Sequence, residues 1–511
     1  MSDNHLEITK AFQIKNPRDK AVFRFFETIP GLLAWSTIIL AIVLSRIIPA
    51  AAAFFIIIFD IFWLLRIIYL SFYQMNSFRK LKDNLKIDWL KKLQRDCGDS
   101  WQEIYHLIVL PTYQEGVDII AASCEALEKS HYPKDKMILV LAIEERSGKE
   151  AKEMASQIEK QYAHRFFRFL TAVHPKDLEG EVAGKGSNVA WALKQAQEKI
   201  IDSLNIPYEK VIISDFDIDT KPYPYYFAVL TWNYLKASFP TKSSYQPIPV
   251  YNNNIWDSPA FSRIIATSGT FWQMMQQERP EQLVTYSSHS FPFKVFADIG
   301  YPNKVVSDDS HIFWKAYLFY NGNYQVVPLH YPVSMDAVLA DSFCLTVINQ
   351  YKQQRRWAWG SENIPYLFFN FIKNKKISLT EKIKHSIIIL DGFWSWATSA
   401  LLIFFLGWLP LWFGGEQFNV SMLSYNLPRL TSNIMTIGML GMVLGAGISF
   451  SLLPARPSRY GKLKSLSMLF QWLLLPFTLI FFGAIPALDA QTRLMLGKEL
   501  GFWPTAKTRK G

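Results

Sequence analysis

The chain has 511 residues, half of them apolar and 15% aromatic, and a formal net charge of +11. This length exceeds one ordinary domain, and the apolar residues concentrate near both ends, which indicates membrane spans around a soluble middle. Most of the basic excess flanks the apolar segments and no aromatic-basic sheet motif accompanies it, so nucleic-acid binding is not indicated. The three cysteines are scattered without a C-x-x-C pair, which argues against a disulfide framework or a zinc site.

Two apolar segments follow a polar leader, residues 1–29. Residues 31–48 and 54–72 are each close to the ~20 residues that cross a bilayer, so residues 30–73 are predicted to form a transmembrane helical hairpin. A cleavable signal peptide is the alternative for the first segment, but the long leader and the lack of a small-x-small cleavage site argue against it. Asp60 and Arg66 lie in the second segment, and we expect them to face other helices or the headgroup layer.

Basic residues set the predicted orientation. They cluster in the leader, in a basic interfacial linker at residues 74–104, and between the last two apolar segments at residues 456–464. Because basic loops stay in the cytoplasm, all three clusters and the soluble middle are predicted to be cytoplasmic. We therefore expect a multi-pass protein of the cytoplasmic (plasma) membrane.

Strand and helix patterns alternate through the soluble middle, residues 105–360. Apolar runs typical of buried strands are "YHLIVLPTY", "KMILVLAIEE", "FRFLTAV" and "KVIISDFD", and the segments between them have helical spacing. This alternation predicts a parallel α/β sheet covered on both faces. Ligands of such sheets bind beyond the carboxyl ends of the strands, and here those ends carry polar and acidic residues.

The run "SDFD" places Asp215 and Asp217 directly after a buried strand. Carboxylates this close repel one another unless a cation is present, and a hard divalent ion takes oxygen ligands and bridges to phosphates. The pattern therefore favours an Mg²⁺ or Mn²⁺ site at Asp215 and Asp217, although a solvated loop is an alternative for so short a motif. Asp219 is the expected bystander.

Two further motifs carry chemistry. In "QQRRWAWG", Gln353, Arg356 and Trp357 form Q-x-x-R-W, where Arg can neutralise a phosphate and Trp can offer a flat face to a sugar ring; an interfacial basic-aromatic segment is the alternative. In "VVSDDSHIFW", the acids at 308 and 309 begin a helix, either as favourable charges at its N-terminus or as a general base.

The C-terminal part is predicted to contain an interfacial helix, residues 361–384, about three transmembrane helices in residues 385–488, and a basic tail, residues 489–511. With five spans the tail would end outside, against its charge. We expect either a further crossing hidden by a re-entrant segment or a tail that breaks the rule.

These motifs, in this order and between apolar segments, resemble the membrane-embedded family-2-type glycosyltransferases, the group of cellulose and hyaluronan synthases. The resemblance covers about residues 105–360 and the flanking spans. It implies an α/β glycosyltransferase A-type domain, Rossmann-like with a mostly parallel sheet, inserted between transmembrane helices. It also implies a metal-dependent hexosyltransferase.

The resemblance assigns roles by position. The "LPTYQE" and "KGSN" segments and the end of the second strand imply nucleotide binding by Thr112, Tyr113, Glu115, Glu144, Lys185 and Asn188. The "TSGTFW" segment resembles the acceptor-side loop and implies acceptor binding by Ser268, Gly269 and Thr270, together with Trp357. Asp215 and Asp217 match the metal-binding D-x-D. The catalytic set is Asp309 as base, with Gln353, Arg356 and Trp357. The tail segment "FWPTAK" loosely resembles a phosphate-gating segment.

The implied partners are a nucleotide-sugar donor, a glycan or lipid acceptor, and the bilayer. The implied reaction is inverting transfer from a nucleotide-sugar, first a UDP-sugar, to a growing polysaccharide. Single-sugar transfer to a polyprenyl phosphate or glycolipid is the first alternative, and a non-catalytic membrane scaffold of the same fold is the second. A channel or transporter is poorly supported, because the largest region is soluble.

Overall fold

The computed structural model describes residues 4–501, so the "FWPTAK" segment lies outside the described residues. Its soluble part is built on one eight-stranded sheet with the strand order β3-β2-β1-β4-β7-β6-β8-β5. The strands are β1 Tyr105–Thr112, β2 Met137–Glu144, β3 Arg168–His174, β4 Val211–Asp215, β5 Lys221–Pro222, β6 Ser243–Val250, β7 His289–Pro292 and β8 Gln325–Ser334.

Helices surround this sheet and continue on both sides of it in the chain. They are α1 Pro17–Ile47, α2 Pro49–Asn84, α3 Trp89–Cys97, α4 Val117–Glu128, α5 Gly148–Tyr162, α6 Lys185–Ala196, α7 Tyr226–Lys236, α8 Ala260–Gln277, α9 Phe293–Ile299, α10 Asp308–Phe319, α11 Phe343–Ala358, α12 Asn363–Lys373, α13 Leu379–Phe404, α14 Leu409–Phe413, α15 Gly415–Asn419, α16 Met422–Ser451, α17 Lys462–Phe470, α18 Leu475–Leu479 and α19 Ile485–Met495.

The apolar strands are buried on both faces, as the sequence predicts. Leu107 and Val109 of β1 pack in the cluster that contains α6, whereas Ile108 and Leu110 pack in the cluster that contains α4. Successive side chains of a strand point to opposite faces, so a strand covered by helices on both sides needs apolar residues at every position.

The sheet is mostly parallel. Strands β3, β2, β1 and β4 all run in one direction, and β7 then pairs antiparallel with both β4 and β6. The carboxyl ends of the four parallel strands therefore meet along one edge. This reversal at β7 places the start of β7 beside the end of β4.

Within residues 4–501, five helical stretches are long and apolar enough to cross a membrane, which agrees in number with the spans predicted from the sequence. They are α1, α2, α13, α16 and the broken stretch Lys462–Met495. The two charged residues in the apolar part of α2 face other helices, as expected: Arg66 lies 3.1 Å from Asp391 of α13, and Asp60 is buried. The α/β domain thus lies between apolar helices.

Candidate active site

The strand that ends at Asp215 brings this fully buried carboxylate to the edge where β4 and β7 meet. Asp215 pairs with His289 across the antiparallel β4–β7 ladder and with Val109 of β1 on the other side. His289 is the first residue of β7, so its ring sits beside the carboxylate. Sheet register therefore juxtaposes two residues that are 74 positions apart in the chain.

Helix α6 supplies a cation to the same place. The Nζ atom of Lys185, the first residue of α6, lies 2.8 Å from Asp309 Oδ1, 3.0 Å from Asp217 Oδ1 and 3.3 Å from Asp215 Oδ2. Burial alone would lower the pKa of Lys185, but the three carboxylates outweigh it and raise the pKa well above its usual value. The lysine is therefore a fixed positive charge.

A glycine makes this approach of α6 possible. A Cβ atom on Gly186 would lie 2.5 Å from the carbonyl oxygen of Pro302 and 3.0 Å from Cβ of Asp308. These distances are too short for a side chain, so only glycine lets the start of α6 pack against the segment that leads into α10. In the "KGSN" motif, the lysine is therefore required for its charge and the glycine for its small size.

Helix α10 presents Asp308 and Asp309 in its first turn, and Glu362 holds that turn in place. The Glu362 carboxylate accepts hydrogen bonds from the backbone N–H of Val306 and of Ser307 at 3.0 and 2.8 Å, from the Ser307 hydroxyl at 2.7 Å, and from Trp359 Nε1 at 2.9 Å. Glu362 lies just beyond Q-x-x-R-W in the chain, so it joins the two motifs. Burial raises its pKa.

Asp308 and Asp309 are adjacent but differ in environment. Asp308 is almost completely buried, and burial together with the charge of Asp309 raises its pKa well above the usual value. Its environment therefore favours the protonated form. Asp309 is partly exposed, with 21% of its side chain accessible. A base has to reach an acceptor, which makes Asp309 the better placed of the two.

The Tyr301 hydroxyl bridges the carboxylates of Asp215 and Asp308. It donates to Asp215 Oδ2 at 2.6 Å and lies 3.3 Å from Asp308 Oδ2. Burial, and then the charge of Asp215, raises the pKa of Tyr301 well above its usual value. The phenol is thus a permanent donor that fixes one oxygen of Asp215.

Asp215, His289 and Asp309 can together hold a metal ion. Each offers one ligand atom, and these atoms lie within 4.8 Å of one another. Among the described residues, no hydrogen-bond partner reaches Oδ1 of Asp215 or Nε2 of His289, although both atoms are buried. Burial lowers the pKa of His289 to about 4, so its ring is neutral and can act as a ligand. Lys185 lies where a cation would balance these carboxylates, and oxygen and imidazole donors suit Mn²⁺.

This set differs in part from the predicted D-x-D site. Asp215 belongs to it, but the other two members of the group are His289 and Asp309. Asp217 is half-buried, and its Oδ2 accepts a hydrogen bond from the Ser287 hydroxyl at 2.6 Å. Asp219, the expected bystander, is buried and accepts from the backbone N–H of Asp336 at 2.8 Å. It thus has a structural partner of its own.

The predicted nucleotide residues lie at the ends of β1 and β2. Glu115 Oε2 accepts from the Thr112 hydroxyl at 2.9 Å and from the Tyr113 backbone N–H at 2.8 Å, which shapes the loop after β1. Glu144 is paired with Arg146, whose guanidinium also lies 4.6 Å from the ring centroid of Tyr113. Arg146 therefore contacts two of the residues predicted to bind the nucleotide, Tyr113 and Glu144.

Asn188 is buried inside the domain. Its Nδ2 donates to the carbonyl oxygen of Ala142 at 2.9 Å, which ties α6 to β2. In this structure its amide braces the position of Lys185 by holding α6 against the sheet.

The prediction of a loop at Ser268, Gly269 and Thr270 is wrong. Ser268, Gly269 and Thr270 lie inside helix α8, not in a loop. Thr270 is buried, and its hydroxyl donates to the carbonyl oxygen of Pro249 at 2.9 Å. The run "IIATSGTFWQMMQQ" has helical apolar spacing, and burial of Phe271 and Met274 against α2 and β6 decides for a helix. A Cβ on Gly269 would contact the ring of Tyr251 at 3.5 Å.

Q-x-x-R-W lies on helix α11. The positive charge of Arg356 opposes the rise in the pKa of Asp308 and of Tyr251. The charges of Asp217 and Asp309 also act on the Tyr251 hydroxyl. Arg356 therefore interacts electrostatically with the acidic cluster. Gln353 accepts a hydrogen bond from Gln350 Nε2 at 3.1 Å, and Trp357 is half-buried. The helix is therefore joined to the acidic cluster through Arg356.

Sequence reasoning missed four residues of the site: His289, Tyr301, Arg146 and Glu362. Three of them lie far in sequence from the residues they contact: sheet register brings in His289, and contacts around the start of α10 bring in Tyr301 and Glu362. Arg146 lies only two residues after its partner Glu144, but no motif marks that ion pair.

The sheet order and the apolar helices on either side define a mostly parallel α/β domain with acids at its carboxyl edge, inserted between helices that can span a membrane, as predicted. No family model matches the chain, and no curated protein matches it.

Solved structures with low sequence identity match the chain. A mannosyltransferase from Pyrobaculum calidifontis, in complex with GDP-Man and Mn²⁺, has 15% identity and a TM-score of 0.39, covering 85% of this chain and 99% of its own. Residues 1–349 of S. aureus TarS, in complex with UDP-GlcNAc, have 12% identity and a TM-score of 0.37, covering 77% and 93%. GalNAc-T7 with UDP, GalNAc and Mn²⁺ has 11% identity and a TM-score of 0.33, covering 57% of each chain.

Proposed function

We propose that this chain is a membrane-embedded family-2-type glycosyltransferase, which moves a sugar with inversion from a nucleotide-sugar, first a UDP-sugar, to a growing polysaccharide at the cytoplasmic face. One observation carries the proposal: Asp215 from β4, Asp309 from α10 and Lys185 from α6 converge within hydrogen-bonding distance at the carboxyl edge of a parallel sheet. The edge of such a sheet is where ligands of α/β domains bind.

The donor would occupy the ends of β1 and β2. Tyr113 offers a ring, Glu144 with Arg146 offers a charged polar wall, and Thr112 and Glu115 hold the loop that carries them. The nucleotide would then lie beside Asp215 and Lys185, with its diphosphate next to the cluster of charges. Asn188, by holding α6 against β2, would keep Lys185 next to the diphosphate.

The leaving diphosphate needs positive charge as the glycosidic bond forms. Lys185 is permanently protonated and buried, where its charge is least screened, and Arg356 contributes from α11. Asp215, His289 and Asp309 would hold the Mg²⁺ or Mn²⁺ ion, whose chemistry is neutralisation of diphosphate charge. Lys185 and Asp217 sit beside these ligands and would orient them.

Asp309 would take the proton from the acceptor hydroxyl, while that oxygen attacks the anomeric carbon opposite the departing diphosphate. Its carboxylate has two oxygens and is partly exposed, so one oxygen can face the cluster and the other the acceptor. The acceptor would lie between α11, with Gln353 and Trp357, and the face of α8 near Ser268, Gly269 and Thr270. Direct attack on the far side of the bond inverts the anomeric configuration.

Transfer assays on purified Asp309→Asn test this proposal. A general base contributes about 10²–10⁴-fold to rate, so transfer from a nucleotide-sugar should fall by at least that factor. UDP binding is measured by calorimetry without a metal ion, because Asp309 is also an expected metal ligand, and should be kept. Asp308→Asn is the matched control: burial raises the pKa of Asp308 and favours its protonated form, and an amide has the same shape and the same zero charge as that form. Near-full turnover by Asp309→Asn would refute the assignment of the base.

A lipid acceptor is the second candidate. Helix α11 rests directly on the apolar helix α19, where Arg355 Nη1 lies 2.9 Å from Asp489 Oδ2, so a lipid-borne acceptor would have a short path to the site. Product length separates the two candidates: a polymer supports the first, and one added sugar supports single-sugar transfer to a polyprenyl phosphate or glycolipid. A protein without any metal-dependent transfer would instead be a scaffold of the same fold.

A further inference from the structure

Four long helices run between the two sides of the apolar region. On the side of the α/β domain, Asp19 near the start of α1 pairs with Lys373 of α12 at 2.7 Å, and Asn84 at the end of α2 donates to the carbonyl oxygen of His330 in β8 at 3.1 Å. On the far side, Arg46 near the end of α1 donates to the carbonyl oxygen of Phe413 at 3.1 Å. Contacts with the domain therefore mark the near side.

Helices α13 and α16 cross in the same way. The His385 ring near the start of α13 packs on Tyr317 of the domain at 4.8 Å. Leu427 near the start of α16 packs with Ala53 on the far side, and Trp256 of the domain donates to the carbonyl oxygen of Pro454, just beyond the end of α16, at 3.2 Å. After four crossings the chain is thus back beside the domain.

The fifth apolar stretch, Lys462–Met495, keeps touching the domain along its length. Its beginning is held by Arg459, whose Nη2 lies 2.8 Å from Asp257 Oδ1. Further along, Gln471 Oε1 accepts from Arg263 of α8 at 2.5 Å, the Phe482 ring stacks on Phe261 of α8 at 5.2 Å, and Asp489 pairs with Arg355 of α11.

The end of the stretch also lies on the near side. Arg24 of α1 donates to the carbonyl oxygens of Leu494, at 3.0 Å, and Met495. Trp35, further into the apolar region, donates to the Thr492 hydroxyl at 2.8 Å. Helix α1 continues about 18 Å beyond Trp35, at ~1.5 Å per residue, so α19 turns back toward the domain well before the far side.

We infer that Lys462–Met495 does not cross the bilayer and instead lies in the leaflet beside the α/β domain, with its outer face bound to lipid acyl chains. A straight helix of 34 residues would span the membrane, but this stretch is broken into α17, α18 and α19 by one 3₁₀ and one π segment. The breaks let it follow the surface of α8 and α11.

The surface pattern fits a lipid partner. The inner face, including Trp472, Ala487 and Ala490, is buried against the protein. The outer face is apolar and exposed, and it continues the exposed apolar faces of α1 and α16: its large residues are Leu463, Leu466, Leu469, Phe470, Leu473, Leu474, Phe477, Leu479 and Phe481. Basic residues at 456–464 lie at its start, where headgroup phosphates would meet them.

This arrangement resolves the orientation of the basic tail. Four crossings return the chain to its starting side, so residues 4–16 and 496–501 both lie on the side of the domain, which is the side that the positive charge of the leader and tail sequences favours. The salt bridge between Lys10 and Glu499, 3.0 Å long, joins the two ends directly. The inference does not depend on the proposed transfer reaction.

Side-specific labelling tests the inference on the full-length chain in intact cells. In a background with Cys97, Cys124 and Cys344 changed to Ser, single cysteines are placed at Lys498, at Lys129 in the domain and at Glu416 in the far loop, all three exposed. A membrane-impermeant maleimide should label Lys498→Cys only under the conditions that label Lys129→Cys, and never together with Glu416→Cys. If that background fails to insert, epitope tags at the same three positions in the unmodified chain give the same readout.

Depth is the second measurement. A nitroxide at Phe477→Cys should lie among the acyl chains of the leaflet next to the domain by power saturation, whereas one at Ile437→Cys, in the middle of the crossing helix α16, should lie deeper, near the bilayer centre. Labelling of Lys498→Cys together with Glu416→Cys, or equal depths at positions 477 and 437, would overturn the inference.

Discussion

The ammonium group of Lys185 lies 2.8 Å from Oδ1 of Asp309, and this buried contact joins the first turn of α6 to the first turn of α10. The same nitrogen reaches Asp215 and Asp217, so one cation balances three carboxylates from two segments of the chain. Since buried charges are costly without a partner, the lysine explains how the acidic cluster persists inside the domain.

Replacing Lys185 with Met should destabilise the metal-free protein, by about 3–5 kcal/mol for breaking a buried pair. Mn²⁺ can then replace the missing positive charge, so it should raise the melting temperature of Lys185→Met more than that of the unchanged chain. Thermal unfolding in detergent, with and without Mn²⁺, measures both. Equal shifts in the two proteins would show that the lysine and the metal are not interchangeable at this site.

The metal ligands can be distinguished by substitution. His289→Gln should weaken Mn²⁺ binding by at least about tenfold, which is the lower end of the cost of losing even an outer partner of a metal site. Asp217→Asn should have a smaller effect, because the described metal group consists of Asp215, His289 and Asp309. Calorimetric titration with Mn²⁺ compares the two. A larger loss in Asp217→Asn would favour the D-x-D pair that the sequence predicts.

Metal binding should depend on pH through Asp215. Burial raises its pKa to about 6, with the charges of Asp309 and Asp217 adding to the effect of burial and Lys185 opposing it. Because a ligand carboxylate must be deprotonated, Mn²⁺ affinity should fall about tenfold per pH unit below about 6. The pKa of His289 is about 4, so the ring does not titrate in this range. Titrations between pH 5 and 8 should locate the midpoint near 6 and not near 4.

The raised pKa of Asp215 should also make the folding stability of the metal-free protein depend on pH. The folded-state pKa of Asp215 lies above its usual 3.8, so folding favours the protonated form. The contribution of this group to the stability of the metal-free protein is therefore present below about pH 4 and is lost as the pH rises to about 6. Denaturant unfolding without metal should show a decrease in this window, and Asp215→Asn should remove it.

Glu362 should act as a positioning residue for Asp309. Glu362→Ala removes three hydrogen bonds to the turn before α10 and one from Trp359. It should lower kcat while leaving the Kd for UDP unchanged, with a loss of stability of about 1–3 kcal/mol for the unsatisfied donors. Glu362→Gln keeps one acceptor oxygen and should retain more activity. Trp359→Phe removes one of the donors and is the matched control. A weaker UDP affinity in Glu362→Ala would instead indicate a role in donor binding.

Strands and motifs were predictable because their signals are local. The apolar runs of β1, β2 and β4 and the helical spacing between them follow from burial on both faces of a sheet, and the acids after β4 stand directly at a strand end. The loop predicted at Ser268 and Thr270 was wrong, since burial of Phe271 and Met274 favours a helix there and no local rule shows that burial.

The sequence by itself determined which segments are apolar enough for a membrane, which segment forms the α/β sheet, and that Asp215 and Asp309 are acids at the ends of elements. Only the tertiary structure decided that His289 and Tyr301 lie beside Asp215 and that Glu362 holds the turn before α10. It also shows that Lys462–Met495 stays against the domain. The physical reason is that hydrophobic periodicity acts within one element, whereas antiparallel register, ion pairs and helix packing join residues that are tens to hundreds of positions apart.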